Sequence, residues 1–144
     1  MDVIRYTLPD DTSKVLIRTD VSGRLESKGP FRDDGLQTSN RANLRAVIAA
    51  LRFHYWPGER FGTFVIATDS EYTVDGSSNW AKMWNMDLWE ALLGEIERYE
   101  DEGMAVEFWR ILREWNTMAD EAARSSARQE PAPAVWRDVL GMNI

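Results

Sequence analysis

Three aspartates stand where a sheet-based fold would place the ligands of a metal ion. Asp69 follows the apolar run 63–66, and Asp20 ends the apolar run 15–19. Asp120 lies near the start of an amphipathic helical pattern. Ligands of open α/β sheets bind at the carboxyl ends of the strands, and carboxylate oxygens are the donors that Mg²⁺ prefers. This placement suggests a site for Mg²⁺ or Mn²⁺ built from the three acids.

Each aspartate also has an ordinary structural interpretation. An aspartate after a strand is a common turn residue, and Asp69 followed by Ser70 could cap a helix. Asp120 could complement the dipole at the start of its helix. The spacing alone leaves both interpretations open.

The elements that would position these acids follow from hydrophobic periodicity. Parallel strands joined by helical crossovers predict an α/β layered fold. We predict a loose lead-in over 1–12, a strand over 14–20 and a long loop over 21–38 with at most one or two short strands. Helices are predicted over 38–55, 70–76, 87–102 and 116–128. We also predict strands over 63–68 and 104–112, a turn at Ser77-Ser78 and a short helix over 134–140.

Composition limits the class of protein. A chain of 144 residues predicts one domain over 1–130, followed by a proline-containing tail over 131–144. The chain has no cysteine, no apolar run long enough to span a membrane and no signal-peptide pattern, so we expect an intracellular protein. Its net charge of −7 argues mildly against nucleic-acid binding except through a local face.

Five short motifs occur in order along the chain: Thr19-Asp20-x-Ser22, Thr38-x-Asn40-Arg41-Ala42-x-Leu44-x-Ala46, Thr68-Asp69-Ser70-Glu71-Tyr72, Asp87-Leu88-Trp89 and Asn116-x-x-Ala119-Asp120-x-x-Ala123. Taken together and in this order, they resemble the ribonuclease H family over about residues 13–128. Phe108-Trp109-Arg110 and Arg113 to Asn116 are particularly similar to fungal members.

The resemblance implies a mixed sheet flanked by helices and Mg²⁺-dependent cleavage of RNA in an RNA–DNA hybrid. It assigns Asp20, Asp69 and Asp120 as metal ligands, with position 43 as a further catalytic position. Thr38, Ser39 and Asn40 match a loop that approaches the backbone and minor groove of the hybrid. The substrate-binding set that the resemblance implies is Thr38, Ser39, Asn40, Arg41, Ser70, Glu71 and Asn116.

This sequence departs from the family pattern at several places. Asn43 replaces the expected catalytic glutamate, and an amide supplies one neutral oxygen where a carboxylate supplies charge. No histidine occupies the segment directly before Asn116, and the chain's single histidine, His54, is expected to have a surface or packing role. The segment 77–87 omits a basic protrusion of some members and keeps Lys82 as its only basic residue.

The interval between Asp20 and Asn43 is short for the usual second and third strands, so we expect these to be shortened or missing. The first strand would then have an exposed edge, so we predict either a short hairpin in this interval or a homodimer formed across that edge. Two functional hypotheses remain: an attenuated hybrid-cleaving nuclease, or an inactive relative retained as a nucleic-acid-binding or protein-interaction module. The tryptophans, including Trp89, Trp109 and Trp115, are expected to serve core or interdomain packing rather than to stack on bases.

Overall fold

The computed structural model describes residues 4–6, 17–19, 25–32, 34–35, 38–59, 61–79, 85–129, 131 and 133–136. Helices and strands alternate along most of this part of the chain. The strands are β1 (Ile4–Tyr6), β2 (Ile17–Thr19), β3 (Thr63–Thr68) and β4 (Ala105–Arg110). The helices are α1 (Ser39–Phe53), α2 (Glu71–Asn79), α3 (Met86–Asp101) and α4 (Thr117–Gln129).

The strands form two separate pairs in the described residues. β3 and β4 are parallel, with Thr63 opposite Ala105 and Thr68 opposite Arg110. A parallel pair needs a crossover connection, and α2 and α3 lie in that connection. The α/β prediction and both strand predictions are therefore confirmed.

The N-terminal strands correct one prediction. β1 pairs antiparallel with β2 in the register Ile4 to Thr19, so a wholly loose lead-in over 1–12 is wrong. The alternation of Ile4 and Tyr6 around a polar residue is a strand pattern that was too short to be recognised. The rest of the predicted strand 14–20, including Asp20, lies outside the described residues.

Helix α1 is amphipathic and packs its apolar stripe inward. The hydroxyl of Thr38 accepts a hydrogen bond from the Arg41 N–H at 3.2 Å and caps the first turn. The helix ends at Phe53 with His54 as its C-cap, and a 3-10 turn over Trp56–Glu59 follows. Four residues of the predicted stripe are fully buried: Leu44, Val47, Ile48 and Leu51.

His54 has a packing role, as expected from the sequence. Its Nε2 lies 2.5 Å from a carboxylate oxygen of Glu59, and its ring meets Trp56 edge-on at 4.7 Å between centroids. Trp56 in turn donates its indole N–H to the Ala50 carbonyl. The histidine therefore packs at the C-terminal end of α1.

Helix α3 packs against α1 and supplies much of the core. Leu88, Leu92 and Tyr99 on its inner face are fully buried. The helix ends before Gly103, whose φ of +84° allows the left-handed conformation of a helix C-terminus. The predicted longest helix is confirmed within one residue at each end.

The buried hydroxyl of Tyr99 is expected to lower the free energy of unfolding at alkaline pH. Its hydroxyl donates to the Leu51 carbonyl, and burial raises the pKa of this tyrosine. Because folding favours the neutral phenol, its contribution is complete below the unfolded-state pKa of about 10 and is lost as the pH rises above it. Urea unfolding between pH 8 and pH 11 should therefore show falling stability, and Tyr99→Phe should flatten the fall.

The exposed Tyr55 provides the matched control for that measurement. A hydrogen bond to Glu102 raises the pKa of Tyr55 at the surface. Tyr55→Phe should leave most of the alkaline dependence in place. An unchanged alkaline slope in Tyr99→Phe would show that Tyr99 is not its source.

Helix α2 is longer than predicted and contains a close approach to α3. It continues through Gly76 to Asn79, so the predicted helix end at Gly76 and the turn at Ser77-Ser78 are wrong. A Cβ atom at Gly76 would lie 2.2 Å from Cζ2 of Trp89. The glycine is therefore required by contact with the indole and does not end the helix.

Gly76→Ala is expected to destabilise the protein by about 1–3 kcal/mol despite the better helix propensity of alanine. The Trp89 ring is fully buried and its N–H donates to the Tyr72 hydroxyl at 3.0 Å, so it has little room to move. Urea unfolding measures the effect. Gly94→Ala is the control, since a Cβ there meets no atom within 4 Å, and equal effects at both glycines would refute the steric explanation.

The loop before α1 is fixed to the helix by a buried ion pair. Arg45 donates from Nε and one terminal nitrogen to the Glu26 carboxylate, the shortest distance being 2.8 Å. Its guanidinium also lies 3.9 Å from the Trp136 ring centroid. Residues 134–136 are not helical, so the predicted helix over 134–140 does not begin there, and 137–140 lie outside the described residues.

Among the helices that the structure describes, none is both long enough and apolar enough to cross a membrane.

Candidate metal and nucleic-acid site

Asp69 directly follows β3 at the carboxyl end of the parallel pair. The Ile111 N–H donates to the carbonyl of Thr68, the last residue of β3, and so extends the pairing one residue past the end of β4. One oxygen of Asp69, Oδ1, accepts from Nδ2 of Asn116 at 2.9 Å. The other, Oδ2, accepts from Nε of Arg113 at 3.2 Å. Both oxygens of the predicted metal ligand are therefore engaged by residues that follow β4.

Asn116 connects Asp69 with Asp120. It follows a 3-10 turn over Arg113–Trp115 and precedes α4. While its side chain donates to Asp69, its main-chain carbonyl accepts from the Asp120 N–H at 3.1 Å. The Asp120 carboxylate is half exposed and pairs with Nε of Arg124 one turn later, at 3.1 Å. Two of the three predicted ligands are thus linked through one residue.

This donor set fits a hard divalent cation in its chemistry. Carboxylates that are partly open to water suit Mg²⁺ or Mn²⁺, which bind oxygen and retain several waters. Asp20, the third acid of the predicted set, lies outside the described residues. Within the described residues, no group of three or more His, Asp or Glu side chains is arranged as a metal site.

The loop at the start of α1 presents three of its four predicted contact residues to solvent. Thr38, Ser39 and Asn40 are exposed, and Asn43 is partly buried one turn further along. Arg41 is different, because only 3% of its surface is accessible. Its two terminal nitrogens donate to the Asp87 carboxylate at 2.9 and 2.6 Å, so it fixes the start of α1 to the start of α3.

Ser70 and Glu71 also have structural partners. The Ser70 hydroxyl accepts from the Thr73 N–H at 3.2 Å and caps α2, as the sequence predicted. Glu71 is exposed and forms an ion pair with Arg110. This pair neutralises the acid that would otherwise repel a phosphate backbone.

Two tryptophans beside the site contradict the expectation of core packing. Trp89 is fully buried, but Trp109 is 58% exposed and Trp115 is 72% exposed. The alternation of side chains along β4 explains the exposure of Trp109. Phe108 packs against the core, so the next residue must face the opposite side of the strand. Arg113 was also missed as a partner of Asp69, since their 44-residue separation leaves no local sequence signal.

The family of this chain follows from its similarity to known proteins. The RNase H family profile matches residues 7–109, well over half of the chain. Ribonuclease H of Aeromonas hydrophila is 33% identical over 118 residues, which are 72% of this chain and 71% of its own length. The chain belongs to the RNase H family.

Further relatives agree with this assignment. Ribonuclease H of Actinobacillus succinogenes is 29% identical over 126 residues, covering 78% of this chain and 77% of that protein. Human ribonuclease H1 is 28% identical over 112 residues, covering 69% of this chain and 38% of the human protein. These relatives are bacterial and human, so they give no support to the particular likeness to fungal members. No solved structure matches the chain.

The family profile covers only some of the predicted site residues. Positions 20, 43 and 69 lie inside the matched range 7–109, whereas Asn116 and Asp120 lie beyond it. The connection from Asp69 to Asn116 and Asp120 is therefore a separate, structural observation. It is independent of the motif resemblance in the first half of the chain.

Proposed function

We propose that this protein is an RNase H-type nuclease that cleaves the RNA strand of an RNA–DNA hybrid. Mg²⁺ or Mn²⁺ would be held by Asp20, Asp69 and Asp120, and Asn43 would attenuate the reaction. The observation that carries the proposal is the link through Asn116 between Asp69 and Asp120. Membership of the RNase H family supports the reaction class.

A bound divalent cation would supply Lewis acidity at the phosphate and lower the pKa of a bound water. The residues of the chain would hold and orient the reactants. Asn116 keeps the Asp69 carboxylate in one orientation by donating to Oδ1. The exposed residues Thr38, Ser39 and Asn40 lie at the N-terminus of α1, where N–H groups and the helix dipole favour contact with the sugar-phosphate backbone.

Asn43 accounts for the proposed attenuation. Where the family pattern has a glutamate, this amide can donate one carbonyl oxygen to a cation but no negative charge. A second metal ion would consequently bind weakly. Fast phosphoryl transfer with two metal ions needs both of them to stabilise the attacking and leaving oxygens.

We also propose that the second and third strands of the family fold are shortened here. An isolated antiparallel bridge between Lys28 and Asp34 lies in the described part of the predicted loop and supports this proposal. β1 covers one edge of β2, so a homodimer would need the other edge. Light scattering across a range of protein concentrations would test for such a dimer.

The nuclease proposal is tested by cleavage of a labelled RNA–DNA hybrid with Mg²⁺ or Mn²⁺. The wild-type chain should cut the RNA strand slowly, and Asp69→Asn should abolish cleavage because the amide cannot provide the ligand charge. Asp75→Asn is the matched control, since Asp75 is an exposed residue of α2 and should leave the rate unchanged. Cleavage that survives Asp69→Asn would exclude this site as its source.

The second candidate is an inactive family member that binds nucleic acid or a protein partner. Asn43 favours it, and so do the arginine partners on both described aspartates, which neutralise the charge needed by a cation. Hybrid binding without cleavage, in either metal, would support a binding module. Neither binding nor cleavage would favour a protein-interaction role.

A further inference from the structure

Arg113 occupies the oxygen of Asp69 that Asn116 leaves accessible. Its Nε donates to Oδ2 at 3.2 Å, while Asn116 donates to Oδ1 at 2.9 Å. The Arg113 side chain is 85% exposed, and the Asp69 side chain is 23% exposed. The guanidinium therefore covers the carboxylate from the solvent side, from which a hydrated cation would arrive.

We propose that Arg113 is a placeholder cation, which neutralises Asp69 in the metal-free protein and is displaced when a divalent cation binds. This inference rests on the metal site of the proposed function. A guanidinium donating to Oδ2 repels a dication at the same carboxylate, because two positive charges a few ångströms apart interact unfavourably even under partial solvent screening. Metal binding thus requires this ion pair to open.

Because Arg113 is exposed, opening its ion pair with Asp69 costs little free energy. Exposed ion pairs shift an equilibrium by up to about fivefold, since water and salt screen them. Asn116 would keep Asp69 oriented while Arg113 moves away, because its hydrogen bond is to the other oxygen. The consequence is a metal affinity that is lowered but not abolished, so the chain would need a higher metal concentration than the same site without Arg113.

The other arginine pairs near the site differ from this one. Arg124 pairs with Asp120 within the same helix, a common i,i+4 surface contact. Arg110 pairs with Glu71, which is not a predicted metal ligand. Of these three arginines, only Arg113 comes from a different element and also pairs with a predicted metal ligand. Arg110→Ala is therefore the matched control, with the same charge removed a few residues away.

The test is calorimetric titration of the full chain with MnCl₂ in the absence of nucleic acid. Arg113→Ala should bind Mn²⁺ about two- to fivefold more tightly than the wild-type protein. Arg113→Gln should behave like the alanine variant, and Arg113→Lys, which retains the charge, should resemble the wild type. Arg110→Ala should change the affinity less than Arg113→Ala does.

Two further measurements separate the possible outcomes. Thermal unfolding in EDTA should show all variants folded, because position 113 is exposed. In an Asp69→Asn background, Arg113→Ala should no longer tighten Mn²⁺ binding. If the wild type binds Mn²⁺ but Arg113→Ala and Arg113→Gln both bind it with unchanged or weaker affinity, this inference is overturned. The metal site itself would still stand. Absence of Mn²⁺ binding in every protein would overturn both.

Discussion

Asp87→Ala is expected to lower the free energy of unfolding by about 3–5 kcal/mol. The Asp87 carboxylate accepts two hydrogen bonds from the guanidinium of Arg41, and the two side chains are only 10% and 3% exposed. Removing the carboxylate leaves a buried positive charge without its anionic partner. Urea unfolding monitored by circular dichroism would measure the change, which is a large fraction of the stability of an ordinary domain.

Two controls make this prediction specific to the buried pair. Asp101→Ala removes an exposed carboxylate at the other end of α3 and should change the stability by no more than about 0.5 kcal/mol. The double variant Arg41→Met/Asp87→Leu should recover most of the loss, because apolar side chains can replace a buried ion pair. A loss below about 1 kcal/mol in Asp87→Ala would contradict the assigned role of the pair.

The second large effect is expected from Asn43→Glu, which should raise the rate of hybrid cleavage on the order of 100-fold. The substitution restores a negative charge at the position where the family pattern has a catalytic glutamate. It should not harm folding, because glutamate is a better helix former than asparagine and α1 has no acidic residue in its first turn. Initial cleavage rates in Mg²⁺, compared at equal protein concentration, measure the effect.

Asn43→Gln is the matched control for charge. It lengthens the side chain as glutamate does but keeps the neutral amide, so its cleavage rate should stay near that of the wild-type protein. Equal rate increases in the two variants would mean that side-chain length limits the reaction. A folded Asn43→Glu protein with no increase would show that the missing charge does not cause the attenuation.

The elements predicted well are those with a long hydrophobic pattern. The stripe of α1 recurs at helical spacing, and β3 is a continuous apolar run whose bounds were predicted without error. β1 was missed because three residues carry too little periodicity to identify a strand. The end of α2 was predicted wrongly because glycine often ends a helix, whereas Gly76 makes room for Trp89.

The contacts that position the candidate site were largely invisible in the sequence. Arg41 was assigned to substrate because of its motif, yet in the fold it pairs with Asp87, 46 residues away. Arg45 and Glu26 form a similar buried pair across the preceding loop. Periodicity reports which face of a helix is buried, but it does not report which distant charge will neutralise an inward-facing arginine.

The assignments of Asp20, Asp69 and Asp120 as metal ligands stay predictions, and Asp20 lies outside the described part of the chain. Motif order singled out Asp69 and Asp120, and in the fold both form hydrogen bonds with Asn116, a residue that the sequence had assigned to substrate binding. The contact between Arg113 and Asp69 emerges only from the geometry of the fold.

The most direct test of the proposed nuclease is a comparison of substrates cut by Asn43→Glu and by Asn43→Glu/Asp69→Asn. A labelled RNA strand would be supplied in an RNA–DNA hybrid, in an RNA duplex and as a single strand of the same sequence, each with Mn²⁺. We expect Asn43→Glu to cleave the RNA of the hybrid and the added Asp69→Asn change to abolish this cleavage. A folded Asn43→Glu protein that cuts none of the three substrates, or cleavage that persists without Asp69, would contradict the proposed metal-dependent nuclease.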